Sequence, residues 1–136
     1  MIIIITIIIL LSTTLMSEEK YKEPKYTILE KIDNIEIRQY DKCIIAKTSI
    51  PLNQNESDNN MFRILASYIF GNNERNEKIP MTAPVTSFKD KNTYNMMFYM
   101  LNAQSIDELP LSSNMNIKFE TLSLNKCAVI KFSWFT

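Results

Sequence analysis

One stretch of this sequence has a helical period, and nearly everything around it alternates. Met61, Phe62, Leu65, Tyr68 and Ile69 form a single apolar stripe at i, i+1, i+4, i+7 and i+8. Gly71, the chain's only glycine, falls just past the last of them, where a residue with positive φ ends a helix at little cost. The spacing therefore predicts one helix over Met61–Phe70. The flanks read as strands. Tyr26–Ile32 and Ile35–Tyr40 alternate apolar with polar residues around an Asp33-Asn34 turn, and Cys43–Ile50 continues the pattern. After the helix, Val85–Phe88 and Tyr94–Met100 bracket Lys89-Asp90-Lys91-Asn92 as a hairpin, followed by Ile117–Glu120 and Cys127–Phe132. One helix among antiparallel strands is an α+β pattern.

Asp41–Ser49 (DKCIIAKTS) lines up with Asn125–Ser133 (NKCAVIKFS), with Lys, Cys, Lys and Ser coinciding around apolar residues. Such a repeat arises if two β-α-β-β units build the fold. In the first copy a helix follows this strand. In the second the chain stops at Thr136.

Composition removes whole classes of chemistry. There is no histidine among the 136 residues, so Ser-His-Asp and Cys-His triads, His-ligated zinc and imidazole acid–base catalysis are excluded. One glycine cannot build a GxGxxG or P-loop phosphate cradle. Fifteen basic and fifteen acidic residues cancel, leaving no cationic stripe for nucleic acid. No base–nucleophile pair is visible, so no enzyme is expected.

The first seventeen residues are set apart. Ile2–Leu11 is apolar except for Thr6, and charge begins at Glu18. That run is shorter than the roughly twenty residues a bilayer span needs and fits a signal-peptide core, with an uncleaved membrane anchor as the alternative. The chain divides into a leader (1–17), a linker (18–25) and a domain (26–136), directed to the secretory route or held at a membrane. Asn55-Glu-Ser57 is a sequon that such a route would expose to glycosylation. Cys43 and Cys127 are candidates for a disulfide in an oxidising compartment.

Four segments together resemble the SOUL/heme-binding protein family. They are Ile35–Tyr40 (IEIRQY), Phe62–Asn73 (FRILASYIFGNN), Ile79–Val85 (IPMTAPV) and Ala128–Ser133 (AVIKFS). The resemblance implies a distorted antiparallel β-barrel of two pseudo-twofold β-α-β-β units, the second incomplete here. It also implies a non-enzymatic protein that binds heme or another tetrapyrrole in an apolar groove beside the first helix. A histidine that some relatives carry in the second strand is Gln39 here.

A tetrapyrrole groove needs a flat apolar surface, cations for carboxylates and, for heme, usually an axial ligand. The groove candidates are Phe62, Leu65, Tyr68 and Ile69, although a packed core stripe has the same spacing. Arg38 and Arg63 are candidate carboxylate partners, because guanidinium meets a carboxylate with two parallel hydrogen bonds. Tyr40, Cys43 and Tyr68 remain as candidate iron ligands. The alternatives are another apolar ligand, a protein partner, or a remnant that binds no heme. An incomplete second unit would leave a sheet face and a strand edge open, and so favours a homodimer.

Overall fold

The structure, a computed structural model, describes residues 21–54, 58–123 and 125–132. In chain order the elements are β1 (Tyr26–Ile32), β2 (Ile35–Tyr40), β3 (Cys43–Pro51), α1 (Asp58–Ile69), β4 (Thr86–Lys89), β5 (Thr93–Tyr99), a 3-10 turn (Ile106–Glu108), β6 (Ile117–Leu122) and β7 (Asn125–Ile130). The expected leader and the Asn55 sequon lie outside the described residues. Among the described residues no helix is long and apolar enough to cross a membrane.

The strands form two antiparallel sheets, one ordered β1-β2-β7 and the other β4-β5-β3-β6. The expected barrel is therefore not formed. No ladder among the described residues joins the edges β1 and β7 of one sheet to the edges β4 and β6 of the other, so each sheet stays open.

Local chemistry explains the turns. Asp33 sits at φ 52° between β1 and β2, a left-handed position that Asp and Asn tolerate. Between β4 and β5, Asp90 Oδ1 accepts from Asn92 N at 3.1 Å, Thr93 N at 2.9 Å and Thr93 Oγ1 at 2.7 Å. Those donors hold its carboxyl at about 2, below the ordinary 3.8. Gly71 closes α1 at φ +116°. A Cβ there would meet only ordinary contacts, so backbone conformation, not space, requires the glycine.

The core lies between α1 and one face of the four-stranded sheet. Met61, Leu65, Tyr68 and Ile69 pack onto Ile44, Ala46, Ile50, Met96, Phe98, Met100 and Ile117. On β3 and β5 these residues alternate, as strand geometry demands, and the register pairs Ala46 with both Phe98 and Phe119. Each large side chain so buried contributes roughly 1.5–3 kcal/mol. On the opposite face of this sheet Cys43, Met97 and Tyr99 border a space shared with Cys127 and Val129 of the three-stranded sheet.

That smaller sheet is thinly covered. β1 is exposed along its whole length, unlike the half-buried strand its alternation suggests, because it is an edge strand. On the sheet's outer face Ile32, Ile35 and Ile130 are register partners across three strands, and they are 49%, 36% and 51% exposed.

Candidate functional site

The structure separates the sequence candidates into three places. Leu65, Tyr68 and Ile69 are core, each no more than 1% exposed. The Tyr68 hydroxyl donates to the Pro110 carbonyl at 2.7 Å, and its ring lies 5.2 Å from that of Phe119. Burial pushes the phenol up to about 12, so it stays protonated and committed to Pro110. Phe62 and Arg63 occupy the outer side of α1. Phe62 is 40% exposed, with its ring tilted against Phe98 at 5.5 Å.

Arg38 lies on the other sheet, away from both groups, and is 6% exposed. Its Nε and Nη2 each approach Glu36 Oε2 at 2.7 Å, and Nη1 donates to the Tyr40 hydroxyl at 2.9 Å. The guanidinium also stacks over the Tyr26 ring at 4.0 Å. Residues two apart on a strand share a face, which is why Glu36, Arg38 and Tyr40 meet. The hydrogen bond from Arg38 holds the Glu36 carboxyl below its ordinary range, against the opposing effect of burial. Tyr40, then Glu36, holds the Arg38 proton more firmly still. This fork is already occupied by its own strand.

The candidates thus do not converge on one groove beside α1. A cleft of about 650 Å³ opens instead where β3 begins. Ile44, Met100, Leu101 and Ala103 give it an apolar floor, and Lys22, Lys25 and Lys42 stand at its exposed rim beside Glu23 and Asp41. Lys22 Nζ donates to Asn102 Oδ1 at 2.7 Å. The Lys22–Lys25 stretch, expected as linker, is tied into the fold: Ala83 N donates to Lys22 O and Asp41 N to Lys25 O, both at 2.9 Å. A second cavity, about 370 Å³, lies between the two sheets and shares Asp41 and Cys43 with the first.

The expected disulfide is not formed; Cys43 and Cys127 are free thiols. They stand on strands of different sheets, on opposite walls of the intersheet cavity. Burial pushes the Cys43 thiol above its ordinary value, which disfavours the thiolate that iron or zinc would take.

The model of the SOUL heme-binding protein family matches residues 21–136. This chain belongs to the SOUL heme-binding protein family. No curated protein matches it. The segment most diagnostic of the SOUL resemblance, Met81–Val85, now has a physical role. Thr82 Oγ1 donates to Tyr99 O at 2.7 Å, Thr82 bridges in parallel to Lys22, and the Ala83–Pro84 peptide is cis. The SOUL signature thus clamps the lysine-bearing segment against the end of β5, and so builds one wall of the cleft. Its helix segment ends on Asn73, 4% exposed. The Asn73 Nδ2 donates to Tyr68 O and Glu77 O, and its Oδ1 accepts from Arg75 N and Glu77 N.

For a tetrapyrrole, the residues fit the macrocycle and its carboxylates better than the iron. The cleft offers an apolar floor, three ammonium groups, the protonated Cys43 thiol and the Met100 thioether. Among the described residues no group of three or more His, Cys, Asp or Glu could hold a metal ion. The cleft lining comes from four separate stretches of chain, so no local motif could have announced it.

Proposed function

We propose that this SOUL protein is a non-enzymatic binder of tetrapyrroles, and that it receives them in the lysine-rimmed cleft rather than beside α1. The observation that carries this reading is a concavity of about 650 Å³, within the range of roughly 300–1,000 Å³ typical of ligand sites, that sets an apolar floor under a rim where three lysines outnumber Glu23 and Asp41. Burying roughly 400 Å² of macrocycle is worth on the order of 10 kcal/mol before the costs of association, so affinity does not require coordination. Lys25 and Lys42 supply point charges for the carboxylates, while Lys22 is oriented by Asn102. Iron, when the macrocycle carries it, adds ligand-exchange and redox chemistry that the cleft residues are not built to direct. The leader supports secretory or membrane-anchored delivery as part of the same proposal.

Titration of the full chain with hemin, followed by its Soret band, tests the reading. The double variant Lys25→Glu/Lys42→Glu reverses two rim charges and should weaken binding by about tenfold or more. Arg38→Gln should leave affinity unchanged. The opposite pattern would return the site to the small sheet.

A further inference from the structure

The intersheet cavity takes no part in the tetrapyrrole reading, and its walls have a chemistry of their own. Both sheets contribute with strand periodicity: Cys127 and Val129 from β7, Thr86 and Phe88 from β4, Met97 and Tyr99 from β5, with Leu122 from β6. The lining is mostly apolar or aromatic, and Asp41 is the one charged residue in it. Its hydrogen-bonding side chains are Ser123, Asn125 and Asp41 from the loops and strand ends, and the hydroxyls of Tyr40, Tyr99 and Thr86. The hydroxyls of Tyr99 and Thr86 bond to each other at 3.0 Å. Tyr40 already accepts from Arg38, which leaves its own O–H to donate, with no acceptor for it among the described residues. Acceptance from a cation polarises a hydroxyl and strengthens its donation. The volume, about 370 Å³, equals roughly a dozen waters at ~30 Å³ each. Two fused rings with a short substituent fit; a tetrapyrrole does not.

We propose that the space between the two sheets is a second binding site, for a neutral aromatic molecule of about two rings bearing a carbonyl that accepts from Tyr40. Neutrality follows from the lining, whose one charged residue is the exposed Asp41, while Arg38, the cation behind Tyr40, is already paired with Glu36. Ring character follows from Tyr40, Phe88 and Tyr99, whose faces and edges favour offset or tilted aromatic partners. Met97 adds a polarisable thioether, which packs well against ring edges. Cys127 borders this cavity but not the cleft, whereas Cys43 borders both. That difference separates the two sites experimentally.

Prodan, a neutral naphthyl ketone whose emission reports both polarity and hydrogen bonding, is the probe. With the full chain it should show saturable, blue-shifted emission. At saturation it should slow iodoacetamide alkylation of Cys127 by about tenfold, read by peptide mass spectrometry. Val129→Trp and Leu122→Trp each fill the cavity and should weaken prodan binding by about tenfold or more, with far-ultraviolet circular dichroism unchanged. Lys25→Glu/Lys42→Glu should leave prodan affinity intact even as it weakens hemin binding. 6-(Dimethylamino)naphthalene-2-sulfonate, the prodan ring system with an anionic sulfonate in place of the propionyl group, should bind about tenfold more weakly than prodan. Unsaturable prodan emission, undiminished Cys127 alkylation at saturation, or full affinity in both tryptophan variants would overturn the site. Equal or tighter binding of the sulfonate would overturn its preference for a neutral ligand. Should both tryptophan variants fail to fold, Cys127 protection in the unmutated chain decides alone.

Discussion

Leu65→Ala distinguishes a core stripe from a ligand groove. Leu65 is 0% exposed and sits in the middle of the stripe that seats α1 on β3 and β5. Truncation removes most of a buried side chain and leaves a void bounded by strand residues that cannot easily collapse. Such substitutions cost about 2–5 kcal/mol, out of a total of roughly 5–15 kcal/mol for a domain of this kind. At about 4–8 °C per kcal/mol for a small domain, the melting temperature should fall by roughly 10 °C or more. Urea denaturation followed by far-ultraviolet circular dichroism measures the loss directly. Hemin affinity, measured well below the lowered melting temperature, should change by less than about threefold. A variant of undiminished stability but tenfold weaker hemin binding would show that Leu65 faces a ligand, and the assignment of the stripe to the core would fail.

Three further outcomes follow from other parts of the structure. Hemin affinity should fall between low and high salt, because the rim lysines are exposed and screened; a flat salt profile would remove them from the site. Asp90 titrates at about 2 in the fold against an ordinary 3.8. A depressed carboxyl contributes stability that is present above the ordinary value and lost as pH falls through the folded one. Asp90→Asn should therefore flatten the decline in melting temperature between about pH 4 and pH 2, and an unchanged slope would refute it. The exposed Ile32–Ile35–Ile130 row should drive self-association at micromolar concentration. In sedimentation the chain should run as a dimer or larger, and Ile35→Lys should disperse it; a monomer in both would leave the row without that role.

The strands were legible because apolar and polar residues largely alternate, although Tyr26–Ile32 breaks the pattern at Leu29-Glu30, where the register with β2 shifts. Ile35–Tyr40 and Tyr26–Ile32 are read from sequence with the bounds they have in the fold, and Gly71 marks the end of α1 to within two residues. What alternation cannot convey is what lies over each face. The pattern of Tyr26, Ile28 and Ile32 looks half-buried, yet β1 is an exposed edge, since burial depends on neighbours that only topology supplies. The helical stripe posed a similar ambiguity: Leu65, Tyr68 and Ile69 have the spacing of a groove and the burial of a core. Arg38 was legible as a guanidinium but not as one paired by Glu36 and Tyr40 two positions away on its own face. The cleft was least legible of all. Lys22, Lys42 and Met100 come together only because Thr82 and Ala83 pin the N-terminal segment beside the end of β5. Cys43 and Cys127, aligned in the repeat, do reach one cavity, but as free thiols on separate sheets.

The central claim is that the cleft holds a tetrapyrrole by its macrocycle and carboxylates, with no protein ligand to iron required. The most direct measurement is a paired equilibrium titration of the full chain with hemin and with metal-free protoporphyrin, monitored by Soret absorbance and porphyrin fluorescence. Both should bind saturably with dissociation constants within about threefold of each other, and Lys25→Glu/Lys42→Glu should weaken both alike. Failure of either to bind saturably, or hemin binding that exceeds protoporphyrin binding a hundredfold and ignores the lysine substitutions, would contradict it.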